Sequence, residues 1–486
     1  MNEQSKDNNF RNYIGGHWVD SDQRITVIDP ATEKVVGTIA CAGKSEVDQA
    51  VAAARACVKS GQLTSPRPVE RSRVIYRIAE EIRALTEEAA QLLVKENGKT
   101  LADARQEFDV AARYFEYYAG MADKIEGKSI PLGDDYIDFT IYEPVGVSAQ
   151  IVPWNFPVDI CARSLAPALA AGNAVVVKSP ELTPLAMTYL AVACERAGLP
   201  DGALNLICGY GAEAGASLVA HSDINQIVFT GSVATGQSIL RSAADNAVPC
   251  VMELGGKSAA VVFPDADLDI LMDSVDWGIF FNAGQVCSAM SRLLVHESIH
   301  DEVVARVKAL AESKVIGSGM QDGVNLTPVA SAQQRDKVLE MCEQGLNQGA
   351  ELVTGGKRVE SEGYFVEPTV FSEVTTDMDL FTDEVFGPVL SISTFSSEGQ
   401  AWQLANGTDF GLVAGVFTND INISMRAARA LNAGQIFINE WYAGGIETPF
   451  GGRKLSGFGR EKGQEALYSY VTTKNVAIRL NNSKTF

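Results

Sequence analysis

Five short apolar runs recur along one stretch of the chain: AVVVK at 174–178, LNLIC at 204–208, QIVFT at 226–230, CVMEL at 250–254 and AAVVF at 259–263. Runs without a polar face belong to strands covered on both sides, as in parallel sheets flanked by helices. The segments between them, LTPLAMTYLAVACERAG and VATGQSILRSAAD, read as helices. Such alternation predicts a doubly wound α/β sheet. A second alternating block runs from about 258 to 456, with strands RLLVH, GLVAGVF and GQIFINE and helices over 299–314, 331–348 and 420–431.

Upstream, YIGGHWVD, ITVIDPAT and KVVGTIACA read as short strands, and Ser45 with Asp48 starts an alanine-rich helix. Amphipathic helices are expected over 67–96 and 99–121, a turn-rich break over 127–135, and renewed strand character in DFTIYEPVGVSAQIV. The tail VTTKNVAIRL alternates apolar residues at Val476, Ile478 and Leu480, which is a strand pattern.

At 486 residues the chain has room for about three domains. Forty Lys and Arg against 61 Asp and Glu leave a net charge of −21, which argues against a nucleic-acid or anionic-membrane partner. The opening MNEQSKDNNF lacks the apolar core of a secretion signal, and 165–177 is too short and too interrupted to span a bilayer. Eight scattered cysteines without a C-x-x-C pair fit a reducing cytoplasm.

Three motifs are weak. His296 and His300 match H-E-x-x-H, but RLLVH is a strand and Ser298 with Asp301 reads as the cap of the next helix, so the two rings fall in different elements. No metal is expected. LGGKS at 254–258 lacks the first glycine of a phosphate-binding loop, because position 251 is Val. The glycines at 209, 211 and 215 are spaced one residue off the dinucleotide fingerprint. Phe229 to Gly236 is stronger: it ends a strand and opens a helix, where free N–H groups suit a pyrophosphate.

What decides is their company and order. PWNFP at 153–157 is followed by KSPE at 178–181, FTGS at 229–232, ELGG at 253–256, GQVC at 284–287, EVFGP at 384–388, PFGG at 449–452 and SGFGRE at 456–461. From about residue 10 to 480 the chain resembles the NAD(P)-dependent aldehyde dehydrogenase superfamily, in its hydrolytic branch that does not acylate coenzyme A. The resemblance implies an α/β fold with a Rossmann-like cofactor domain over 1–125 and 147–254, an α/β catalytic domain over 255–456, and a small β oligomerisation element over 126–146 and 457–486. It implies a homodimer or homotetramer acting on a small aldehyde.

Matched position by position, it makes Cys287 the nucleophile, Asn155 the oxyanion donor and Glu253 the water activator, roles for which a thiol, an amide and a carboxylate are chemically suited. Asn155 also reads as a cap of the helix at Pro157, and Glu253 as half of an ion pair. Cofactor contacts fall on Val152, Pro153, Trp154, Lys178, Glu181, Gly211, Thr230, Gly231, Ser232, Gly236, Leu254, Glu384 and Phe386. A carboxylate at Glu181 favours NAD over NADP, the alternative. Two positions depart from the pattern. The lysine that many relatives carry nine residues after the asparagine is Ser164, although Glu461, its companion on a proton path, is present. Asp159 and Arg163, at i and i+4, read equally as a local ion pair and as polar groups lining the aldehyde tunnel.

Overall fold

The computed structural model describes residues 4–480; residues 1–3 of the expected cofactor domain and 481–486 of the expected tail element lie outside the described residues. Five parallel strands stand in the spatial order Cys250–Glu253, Gln226–Thr230, Val147–Ile151, Ala174–Ser179, Leu204–Cys208. The sheet grows in one direction from Val147–Ile151, then resumes on the other side with Gln226–Thr230. Where the order reverses, the loops leaving the carboxyl ends of these two strands part and open a crevice. Four of the five apolar runs form strands here, and Gln226–Thr230, Ala174–Ser179 and Leu204–Cys208 are buried throughout.

Two antiparallel edges complete this sheet. Asn12–Ile14 and His17–Val19 extend it beyond Leu204–Cys208, and Gly457–Phe458 lines up beside Met252 and Glu253. Sequence grouping set residues 457–458 with the tail; here they border the strand that carries Glu253. The fifth run, Ala259–Val262, lies in a second sheet ordered Glu351–Thr354, Thr369–Ser372, Val389–Phe395, Arg292–His296, Ala259–Val262, Val413–Phe417, Gln435–Ile438. Its neighbours are parallel except for the first pair. Each sheet has its own apolar core, one including Val175, Val177 and Leu165, the other Val261, Leu293 and Ile392.

Helices Pro68–Asn97 and Leu101–Met121 match their expected spans and pack together, and the second rests on helix Pro157–Ala171. Two helix starts differ from expectation, each because a carboxylate takes the backbone N–H groups. Helix Lys44–Ser60 is entered at Gly43, whose N–H donates to Glu46 Oε2 at 2.8 Å, not at Ser45. The helix expected from 182 begins only at Thr188, since the N–H groups of Leu185 and Ala186 donate to buried Glu96 at 2.7 and 2.8 Å.

The tail strand Val471–Arg479 runs antiparallel to Tyr136–Pro144 over its whole length, with Ser129–Ile130 on the far side. This third sheet leaves Tyr136, Ile137, Ile141 and Ile478 exposed. Its root is tied to the first sheet by Asn173, fully buried, which accepts from Gly146 N–H at 2.9 Å and donates to the carbonyls of Tyr470 at 2.9 Å and Ala168 at 3.1 Å. Asn173→Ala leaves the buried Gly146 N–H without its acceptor, at about 1–3 kcal/mol, while the carbonyls of Ala168 and Tyr470 keep the N–H groups of Asn173 and Val145. Urea unfolding is expected to show a loss of about 1–3 kcal/mol, and wild-type stability contradicts this role.

Candidate active site

The crevice is built from the ends of the strands. After Val147–Ile151 the chain passes Val152, whose N–H donates to Lys178 O at 3.2 Å, then Pro153 and Trp154, to reach Asn155. Polar side chains from three other segments fix this bend. Asn97 Nδ2 and Thr183 Oγ1 donate to Trp154 O at 2.8 and 3.0 Å, while Lys99 Nζ and Asn282 Nδ2 donate to Asn155 O at 3.0 and 3.2 Å. The Asn155 side chain does not cap the helix behind it. Its Nδ2 donates to Gln285 O at 2.8 Å, and the cap is supplied by Glu107, whose Oε1 accepts from Val158 and Asp159 N–H at 2.8 and 3.2 Å.

Asn282 and Ala283, at left-handed φ of 49° and 51°, turn the chain sharply just before Gln285 and Cys287. Cys287 and Asn155 open together on a cavity of about 540 Å³ walled by Phe156, Trp277, Phe281 and Tyr442. Burial pushes the Cys287 thiol up to about 12; Arg163 pulls it down, and Glu384 and Glu253 push it further up. The other seven cysteines are also unpaired, and all but Cys250 are buried.

Glu253 ends its strand 1% exposed, with no hydrogen-bond partner on either oxygen. Burial first, and then the neighbouring Glu461, hold its pKa well above the usual carboxylate range, while Arg163 and Arg460 act in the opposite sense. The carboxylate passes so close to Gly451 that a Cβ there would stand 2.9 Å from Oε1 and 2.7 Å from Gly459 O. Only glycine leaves that room.

On the other side of the crevice, Lys178 Nζ meets Glu181 Oε1 at 2.9 Å, and the same oxygen accepts from Gly211 N–H at 2.6 Å. Helix Val233–Asp245 begins beside them, capped by Ser232 Oγ, which accepts from Thr235 N–H at 3.3 Å. Gly231 N–H donates to Glu253 O at 3.0 Å, and Gly236 packs so tightly on Leu254 that a Cβ would come within 2.6 Å. Glu384, pushed up to about 7 by burial, accepts from Gly256 N–H at 2.9 Å. Phe386, at a left-handed φ of 59°, meets Trp154 edge to face with centroids 5.4 Å apart.

The model of the family described as "Aldehyde dehydrogenase family" matches residues 18–476. A mitochondrial aldehyde dehydrogenase of Arabidopsis thaliana, family 2 member B4, is 42% identical, covering 96% of this chain and 88% of its own. The betaine aldehyde dehydrogenase of Bacillus subtilis is 41% identical, covering 96% of each chain. Among solved structures, the NAD+ complex of an aldehyde dehydrogenase from Bacillus cereus superposes with a TM-score of 0.95 at 39% identity, covering 96% of each chain. The chain belongs to the aldehyde dehydrogenase family.

In this aldehyde dehydrogenase, Arg163 does not pair with Asp159. Its Nη2 forms an ion pair with Glu461 and donates to Thr230 Oγ1 at 3.2 Å, while Asp159 is hydrogen-bonded with Tyr114. Ser164 donates to the other oxygen of Glu461 at 2.5 Å. The H-E-x-x-H histidines are separated, His296 at a strand end and His300 at a helix start. The expected Ser298 cap is reversed: Ser298 N–H donates to His296 Nδ1 at 3.2 Å.

Sequence reasoning missed the polar cluster that holds Asn155. Glu96, Asn97 and Lys99 fall where one expected helix ends and the next begins, and all three side chains are buried. Lys99 forms an ion pair with Glu107, both nearly free of solvent, besides its bond to Asn155 O. Removing one partner of a buried pair typically costs about 3–5 kcal/mol. Lys99→Met is expected to lose stability in that range by urea unfolding, and wild-type stability would rule the pair out as the anchor of this bend.

Proposed function

We propose that this aldehyde dehydrogenase oxidises an aldehyde to the free carboxylic acid with NAD, through a thiohemiacetal and then a thioester on Cys287. The observation that carries the reading is the opening of Cys287 and Asn155 on one cavity, with the buried, unpartnered carboxyl of Glu253 electrostatically coupled to the Cys287 thiol.

Each step follows from a group's chemistry. The Cys287 thiol reacts as its thiolate, a form that the cationic Arg163 nearby favours. The thiolate adds to the carbonyl carbon, and the resulting oxyanion is met by the second N–H of the Asn155 amide and by the backbone N–H of Cys287. NAD, when bound, supplies the hydride acceptor. The thioester left on Cys287 is then attacked by water whose proton Glu253 removes, which regenerates the thiol and releases the acid.

The residues fit that cofactor. Lys178 and Glu181 bracket the adenosine ribose, with Gly211 fixing the carboxylate, and a negative group there disfavours a 2′-phosphate, hence NAD rather than NADP. The start of helix Val233–Asp245, behind Thr230, Gly231 and Ser232, suits the pyrophosphate, and Gly236 with Leu254 forms the floor. Val152, Pro153 and Trp154 line the nicotinamide side, where Glu384 takes the ribose and Phe386 backs it. The first sheet, with residues 1–125 and 147–254, serves as the cofactor domain and 255–456 as the catalytic domain.

The cavity joins aromatic walls to charged side chains, Asp159, Arg163, Glu440 and Lys462 among them, a surface that suits an aldehyde with both apolar and polar parts. The exposed apolar face of the tail sheet is where a second subunit of a homodimer or homotetramer adds. Among the described residues no helix is long and apolar enough to cross a membrane, and eight unpaired thiols favour the cytoplasm.

Glu253→Gln is expected to complete the first turnover and then stall. Stopped-flow absorbance at about 340 nm would record a burst of about one NADH per site followed by slow release, as for an accumulating acyl-enzyme. Fast steady turnover, or no burst at all, contradicts the assigned role.

A further inference from the structure

Glu253 can activate water only if it gives up its proton, yet it is buried with no hydrogen-bond partner. The charged groups that act on it are Glu461, Arg163 and Arg460, and it in turn acts on the Cys287 thiol. Arg163 stands out among these. It is 6% exposed, lines the cavity with Cys287, and lies over the Phe450 ring at 5.3 Å. Burial alone would weaken its charge, but Glu461, Tyr114, Glu253 and Asp159 surround it and keep it cationic, with Lys462 beyond.

The helix delivers two neighbouring side chains to one carboxylate. Arg163 pairs with Glu461 Oε2, and Ser164 donates to Oε1. At position 164 this chain has a hydroxyl and no charge, so the cation on Glu461 comes from the preceding residue. The shift of one residue matters, because it also brings the cation to the wall of the cavity that holds the reacting sulfur.

We infer that Arg163 is a positioning residue for thioester hydrolysis: held by Glu461 and Thr230, its guanidinium keeps a fixed positive charge beside both the Glu253 carboxyl and the Cys287 sulfur. This rests on the proposed role of Glu253. In the step it serves, water gives one proton to Glu253, its oxygen bonds to the acyl carbon, and the C–S bond breaks with its electron pair on sulfur. The proton held by Glu253 then restores the thiol. Arg163 stabilises the two anions of that sequence, the carboxylate before attack and the thiolate after it, and stays protonated throughout.

The test follows hydrolysis without NAD. Cys287 is acetylated with p-nitrophenyl acetate, and loss of the acetyl group is followed by intact mass across pH. Arg163→Met is expected to move the acidic limb of that rate upward by about one pH unit, about tenfold slower near neutrality. Arg163→Lys, which keeps a cation at the cavity wall, should keep the wild-type limb. Glu461→Gln, which removes a repelling carboxylate while its amide oxygen and Thr230 still hold the guanidinium, should move the limb downward, a sign that loss of shape does not produce. A wild-type limb in Arg163→Met, a shifted limb in Arg163→Lys, or an upward shift in Glu461→Gln overturns the proposal. If Glu253→Gln deacylates as fast as wild type in the same assay, the reading of Glu253 itself has failed, whatever Arg163 does.

Discussion

Burying a carboxyl group without a hydrogen-bond partner costs several kcal/mol or forces it to hold its proton, and Glu253 is buried in that way. Much of the local architecture is arranged around this cost. Its strand is bordered by Gly457–Phe458, and Gly451 is bare so that the carboxylate fits. Arg163 and Arg460 offset its charge while Glu461 opposes it. A carboxyl whose affinity for its proton is raised in this way suits a group that must take a proton from water and return it within each turnover.

The same strand ends separate two jobs that must not interfere. One side offers a helix start, a fixed carboxylate at Glu181 and close-packed glycine, and the other an aromatic cavity ending at Cys287. Both are hung on the reversal between Val147–Ile151 and Gln226–Thr230, where a doubly wound sheet leaves its loops apart. Asn155 stands at the junction, and its backbone is clamped by Lys99 and Asn282. A donor held by buried charge and amide groups needs little reorganisation when an oxyanion forms in front of it.

Much of this was legible in the residues. Strands apolar on both faces announce parallel sheets, and all five runs became such strands. What remained hidden depended on partners distant in the chain. Glu96 delays a helix ninety residues later, Glu107 caps the helix that Asn155 seemed placed to cap, and Arg163 ignores its i−4 neighbour for Glu461. Local spacing records which residues share a helix face. It holds no record of a carboxylate arriving from another element, and a buried charge takes the partner that best offsets its desolvation.

The central claim is that Cys287 carries the substrate as a thioester and that Glu253 releases it. The most direct measurement is peptide mass spectrometry of the Glu253→Gln protein, quenched in acid after mixing with NAD and aldehyde. The account predicts near-stoichiometric acylation of Cys287, absent when NAD is omitted. An unmodified Cys287 peptide, or acylation on another side chain while NADH is formed, would contradict it.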